Sequence, residues 1–150
     1  MTVSLLPLEP LYPVLGALPE AARQRIATAA GTTTLPAGTT IFDERQPCQG
    51  FPFVLSGSIR VSKVSASGRE LPLYRVTPGE TCIITSSCLL GHAPYNARGV
   101  AETATTLVLL PQAMFGELLA LEPFRVFGFN LFAERMADLT GLIDAVAFHK

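Results

Sequence analysis

The chain has 150 residues, of which 49% are hydrophobic and 15% are charged, so it is predicted to form one folded domain and not a disordered chain. Eleven basic residues are balanced by twelve acidic ones, which argues against a protein that binds nucleic acid by itself. The three cysteines lack the dense, even spacing of a secreted disulfide framework. Residues 1–18 contain prolines but no lysine or arginine, unlike a signal peptide. A cytoplasmic protein without a membrane partner is therefore expected.

The first 30 residues are predicted to form a loop followed by a short helix. Glu20–Ala30 is rich in helix-forming residues, and Gly31 follows it as a residue type that commonly ends helices. We expect this segment to pack against the rest of the domain.

Residues 31–111 have the composition of short strands and tight turns. Apolar and polar side chains alternate from Phe53 to Val64, which predicts one strand. Arg69–Val76 is predicted to return beside it as a hairpin, with Pro72 at an edge or a bulge. The last strand is predicted over Val100–Leu110.

Two similar turn signals occur in this region, one at Leu35–Ile41 and the other at Val76–Cys82. Each places a proline and a glycine between two strands, as in a small barrel. No helical crossover lies between the strands, so a parallel sheet is not expected. The predicted fold class is mainly β with flanking helices, in the form of a cupin-like jelly roll.

Residues 112–150 return to a helical pattern, with a short helix predicted over Gln112–Leu121 and a longer one after it. The longer helix could bury its apolar stripe against its own barrel. Its apolar residues recur at alternating intervals of three and four, however, which is typical of a coiled-coil seam and predicts a homodimer. Nothing typical of a helix end follows, so a further segment is expected after Lys150. The predicted dimer seam consists of Phe129, Phe132, Met136, Leu139, Ile143 and Val146.

Three segments resemble the sensory half of the Crp/Fnr family of bacterial transcription regulators. Phe53–Val61 is similar to the family's glycine-containing strand, Thr77–Glu80 to the start of its effector loop, and Val146–Phe148 to the end of its long helix. The resemblance implies a β-roll of about eight strands that senses an effector and dimerises through the helix. It also implies a helix-turn-helix domain beyond Lys150, through which alone the protein would bind DNA.

Cyclic-nucleotide members of that family hold the cyclic phosphate with a Gly-Glu pair and an Arg-Ser/Thr-Ala triplet. The pair is present as Gly79 and Glu80, whereas the triplet falls on Tyr95-Asn96-Ala97. Without the arginine, a buried phosphate would lack its counter-charge. The sequence therefore argues against cAMP or cGMP. Arg98 could supply the charge if the loop register differs; otherwise it is an exposed arginine at a strand end.

The expected effector loop also contains Cys82, Cys88 and His92, and Cys48 could approach them in space. A thiol switch would join Cys82 to Cys88 in response to oxidants or reactive sulfur species. A haem would use a cysteine and His92, by resemblance to a carbon-monoxide-sensing member of the family. The remaining alternative is that these are buried cysteines with a structural role. Their spacing matches no structural zinc pattern, and the cofactor stays open.

The predicted function is the effector-sensing and dimerisation domain of a Crp/Fnr-type regulator. A haem-based gas sensor and an effector-free dimeric interaction module are the alternatives. An enzyme of the metal-dependent cupin type is not expected, because such sites need two or three histidines on facing strands and the chain has two histidines in total.

Overall fold

The computed structural model describes residues 3–82, 89 and 94–148; within the last helix it leaves out the side chains of residues 131, 132, 134, 135, 138, 139 and 142. The described helices are α1 (Val14–Ala17), α2 (Glu20–Ala29), α3 (Gln112–Leu118) and α4 (Glu122–Phe148). The described strands are β1 (Gly31–Leu35), β2 (Thr40–Phe42), β3 (Gly50–Ser56), β4 (Ile59–Val64), β5 (Glu70–Val76), β6 (Arg98–Ala101) and β7 (Thr105–Pro111).

The strands form two antiparallel sheets, in the order β1-β7-β3 and β2-β6-β4-β5. Helices lie before and after them in the chain, so the predicted fold class, a mainly β jelly roll with flanking helices, is confirmed. None of the helices that can be described is both long enough and apolar enough to span a membrane.

Two hydrophobic clusters form the core. The first joins the N-terminal segment, α2, α3 and the start of α4 to the three-stranded sheet, and its largest fully buried side chains are Leu8, Tyr12, Leu15, Ile26, Phe51, Phe53, Leu110, Leu118 and Phe124. The second lies in the β-roll and contains Phe42, Val54, Ile59, Val61, Val76, Cys82, Tyr95, Ala97 and Leu107. The candidate effector residues Cys82 and Tyr95 therefore lie in the second cluster, and the start of the long helix lies in the first.

The predicted strand Phe53–Val64 is wrong in one respect, because it is two strands that belong to different sheets. The chain turns at Gly57, whose φ of 92° lies in the left-handed region. A Cβ on Gly57 would lie 2.5 Å from the Ala104 carbonyl oxygen. The alternation of apolar and polar residues in the sequence continues through this corner, so the periodicity of the side chains did not reveal the break.

The predicted strand Val100–Leu110 is likewise two strands, β6 and β7, in different sheets. The break between them is fixed by the Thr105 hydroxyl, which donates to the Thr103 carbonyl over 2.9 Å. The Glu102 N–H also donates to the Ser58 carbonyl over 2.9 Å. This corner thus packs on the Gly57 corner, and the two together carry the chain between the sheets.

The hairpin predicted from the sequence is confirmed as β4 and β5. Pro72 lies on β5, an edge strand, where it faces Ser62 at a register shift, so both expected reasons for a proline hold. The predicted helix Glu20–Ala30 is confirmed as α2, whereas the helix predicted over Gln112–Leu121 ends at Leu118.

A comparison of Gly57 with Gly68 separates two effects of adding a side chain: the cost of a left-handed backbone conformation and the cost of a steric clash. Both have positive φ, but a Cβ on Gly68 would meet nothing within 4 Å. We expect Gly68→Ala to lower the free energy of unfolding by about 1 kcal/mol, the cost of a left-handed conformation. Gly57→Ala should lower it by about 3 kcal/mol, because overpacking against fixed backbone is added. Urea unfolding measures both, and equal losses would contradict the described corner.

Candidate effector site

The turn that contains Gly79 and Glu80 follows β5 and is closed by its own backbone and side chains. The Glu80 N–H donates to the Thr77 carbonyl over 2.9 Å, and Gly79 has a φ of 88°. The Glu80 carboxylate accepts from the Thr77 N–H over 2.9 Å and from the Thr77 hydroxyl over 2.5 Å. Glu80 therefore stabilises the turn at the position where the sequence predicted an effector contact.

Tyr12 lies beneath this turn and was not predicted to belong to the site. It is fully buried; its hydroxyl donates to the Glu80 carbonyl over 2.5 Å and accepts from the Val54 N–H over 2.9 Å. Burial raises the pKa of Tyr12 to about 12. Its partners are 68 and 42 positions away in sequence, so no local pattern marks this tyrosine.

Tyr95 occupies the position at which the cyclic-nucleotide members have their arginine, and its ring lies in the second core cluster. The ring stacks on Phe42 with centroids 4.6 Å apart, and the hydroxyl accepts from the Gln49 N–H over 3.1 Å. Burial raises the pKa of Tyr95. The cationic group of the family motif is thus replaced by a neutral phenol that packs as part of the core.

The backbone of Tyr95 also holds the loop that contains Cys48. The Arg45 N–H donates to the Tyr95 carbonyl over 2.8 Å, and the Tyr95 N–H donates to the Gln46 carbonyl over 3.1 Å. Together with the Gln49 contact, these bonds attach residues 45–49, here called the Cys48 loop, to Tyr95.

Asn96 and Arg98 make contacts on the neighbouring surface. The Lys63 ammonium donates to the Asn96 carbonyl. The Arg98 guanidinium pairs with the Asp43 carboxylate over 3.0 Å and holds the pKa of Asp43 below its usual value. Arg98 therefore makes an ion pair with a carboxylate, an arrangement that favours the interpretation of a partly exposed arginine at the start of a strand.

The structure brings two of the three cysteines to the second core cluster. Cys82 is fully buried and not disulfide-bonded, and its sulfur lies 3.4 Å from the Tyr74 hydroxyl oxygen. Cys48 is disulfide-bonded and packs against both core clusters. Cys88 and His92 lie outside the described residues. The predicted redox role of the cysteines stays a prediction, but the disulfide is at Cys48 and not at Cys82.

No group of three or more metal-binding side chains occurs in the part of the chain that the structure describes. Cys82 is fully buried in the core cluster that also contains Phe42, Val61 and Tyr95. The described surroundings of Cys82 are therefore those of a packed core residue, and they do not favour haem ligation.

The predicted dimer seam on α4 is largely exposed in the single chain. The exposed fractions are 70% for Phe129, 47% for Met136, 68% for Ile143 and 69% for Val146. The side chains of Phe132 and Leu139 lie outside the description. The alternative, in which this helix buries its stripe against its own barrel, is therefore not observed for these four residues.

The two-sheet roll, the turn at Gly79 and the long trailing helix define a β-roll domain of the jelly-roll type. The sequence profile described as the cyclic nucleotide-binding domain matches residues 32–122. The chain therefore belongs to the cyclic nucleotide-binding domain family, in the form found in the sensory part of Crp/Fnr regulators, and the resemblance noted from the sequence is confirmed.

Solved structures have the same fold. A structure from Eubacterium rectale assigned to the Crp/Fnr transcriptional regulators is 26% identical, with a TM-score of 0.85 over 95% of this chain and 66% of that chain. The c-di-GMP responsive regulator CLP from Xanthomonas campestris is 18% identical, with a TM-score of 0.73 over 88% of this chain and 66% of that chain.

The sensor domain of the transcriptional regulator DNR from Pseudomonas aeruginosa has the same fold. It is 18% identical, with a TM-score of 0.73 over 97% of this chain and 95% of that chain. The present chain thus spans about two thirds of the two longer structures and nearly all of this sensor domain. No curated protein sequence matches the chain significantly.

Proposed function

We propose that this chain is the sensory and dimerisation domain of a Crp/Fnr-type transcription regulator, and that its signal is thiol oxidation. The observation that carries the proposal is the disulfide at Cys48, in a loop bonded to Tyr95. DNA binding would belong to a separate domain, and no catalytic role is proposed.

The position of Cys48 favours a switch over a purely structural bond. Cys48 is half-buried and packs against both core clusters, so a change in its bonding acts on both at once. The Cys48 loop is also attached to Tyr95 by three hydrogen bonds. Because Tyr95 occupies the position of the family's phosphate-binding residue, oxidation would act on the effector site itself.

The partner of Cys48 is assigned from the composition of the chain. Cys82 is not disulfide-bonded, so we propose Cys88, the third cysteine of the chain, as the partner of Cys48. We propose this pair in place of Cys82 with Cys88. With a peroxide as oxidant, the two thiols lose two protons and two electrons and form one S–S bond, and the peroxide is reduced to two molecules of water.

Peptide mapping without reductant tests the proposal. After treatment with hydrogen peroxide and alkylation, we expect a linked peptide that contains Cys48 and Cys88, while Cys82 is alkylated once the protein is unfolded. Reduced protein should show all three cysteines alkylated. A link through Cys82, a link between two chains, or full alkylation after excess peroxide would each contradict the proposal.

A cyclic nucleotide is not the proposed effector, because Tyr95 and Phe42 stack in the roll where the phosphate needs a cation. We expect cAMP and cGMP to leave the melting temperature unchanged. A ligand at a hundred times its Kd would add about 2.7 kcal/mol of stability, so binding would be readily detected. A rise in melting temperature with either nucleotide, measured by differential scanning calorimetry, would contradict this part of the account.

Dimerisation through α4 is part of the proposal, since its exposed apolar stripe needs cover in water. An effector-free dimeric module would share this helix but would show no response to oxidation. The disulfide at Cys48 is the observation that favours a sensor over such a module.

A further inference from the structure

The buried tyrosine beneath the effector turn joins three parts of the molecule. We infer that Tyr12 is a positioning residue that couples the Gly79–Glu80 turn to the long helix α4, an inference that rests on the sensory function proposed above.

The Tyr12 hydroxyl makes one hydrogen bond to the backbone near each of the two sheets. It donates to the carbonyl of Glu80, just after β5 of the four-stranded sheet, and accepts from the N–H of Val54 on β3 of the three-stranded sheet. The ring is held edge-on to Phe53, with centroids 5.0 Å apart. A displacement of the turn relative to β3 therefore has to move or break one of these two bonds.

A second contact joins the same segment to the turn. A Cβ on Gly79 would lie 3.2 Å from the Leu11 carbonyl oxygen, so the backbone of residue 11 closely approaches the turn. Residues 8–12 form a helical turn in which the Tyr12 N–H donates to the Leu8 carbonyl over 2.7 Å. The N-terminal segment thus contacts the turn through its backbone as well as through the phenol.

The same segment continues directly into the helix that contacts α4. The Leu15 N–H donates to the Tyr12 carbonyl over 3.0 Å, which joins Tyr12 to α1. Helix α1 packs against α4, and Leu15 and Phe124 are both fully buried in the first core cluster. A continuous series of contacts therefore leads from the turn, through Tyr12 and α1, to the start of the long helix.

Tyr12→Phe tests the role of the hydroxyl, since it keeps the ring but leaves the Val54 N–H and the Glu80 carbonyl without this partner. Hydrogen exchange followed by mass spectrometry should show about tenfold faster exchange in residues 8–18 and 77–82, beyond any change in α2. Ile26→Val is the matched control, because Ile26 is buried in the same cluster but lies on α2. Ile26→Val should not raise hydrogen exchange selectively in residues 8–18 and 77–82.

Gly79→Ala tests the same coupling by changing the turn instead of Tyr12. It provides a second test if Tyr12→Phe folds poorly. It should also raise exchange in residues 8–18, because the added carbon presses on the Leu11 carbonyl. A change confined to residues 77–82 in both variants would overturn the inference.

A second comparison separates this inference from the proposed function. In the wild-type chain, oxidation should change exchange in residues 122–127 by about threefold or more, and in Tyr12→Phe this change should be lost although the disulfide still forms. A response of wild-type size in Tyr12→Phe would overturn the coupling role. If the wild type itself does not respond, the proposed redox function fails, and the exchange pattern of the variants alone decides the role of Tyr12.

Discussion

Ile143→Asp is expected to convert the protein from a dimer to a monomer. Ile143 is 68% exposed in the single chain and belongs to a stripe with Phe129, Met136 and Val146. In a twofold dimer each substitution places two carboxylates in one apolar seam. Burying unpaired charges costs several kcal/mol, so the Kd of the dimer should rise by roughly a hundredfold or more.

Sedimentation equilibrium of the wild type and the variant measures this effect. Met136→Asp should behave in the same way, because Met136 lies in the same stripe. Ala137→Asp is the matched control: Ala137 is exposed on α4 but lies roughly 100° around the helix from Met136, away from the stripe. A wild-type monomer, or equal weakening by all three variants, would contradict dimerisation through this seam.

Reduction is expected to destabilise the wild-type chain by roughly 4 kcal/mol. A bond between Cys48 and Cys88 closes a loop of about 40 residues, and the chain-entropy relation gives this magnitude for such a loop. The reduced protein should therefore unfold at a clearly lower urea concentration than the oxidised protein.

Two variants, each with one cysteine replaced, show which cysteine is responsible for this difference in stability. Cys48→Ser should unfold at the same urea concentration with and without reductant, because no disulfide can form at this position. Cys82→Ala should keep the full difference, since Cys82 is buried in the core and is not disulfide-bonded. The proposed pair would be wrong if reductant no longer changed the unfolding of Cys82→Ala in urea, or if it still changed the unfolding of Cys48→Ser.

The local parts of the fold were predictable because their signals are local. The hairpin of β4 and β5, the proline on its edge strand and the turn at Gly79 each depend on residues within a few positions of one another. The order and spacing of these elements carried the resemblance to the Crp/Fnr family. The exposed stripe of α4 followed from its spacing in the same way.

The parts that were missed depend on contacts between distant positions. The corner at Gly57 is fixed by Ala104 and Thr105, which the alternation of the strands cannot report. The role of Tyr12 depends on Val54 and Glu80. Proximity in sequence suggested Cys82 and Cys88 as a pair, whereas the disulfide at Cys48 depends on folding that sequence distance does not report.

The most direct test of the central claim is to measure the Kd of the dimer and the number of free thiols in the same wild-type sample, before and after peroxide. The account predicts that each chain loses two thiols, keeps Cys82 reduced, and changes its Kd. Loss of the two thiols with an unchanged Kd would contradict a sensor that acts through the long helix.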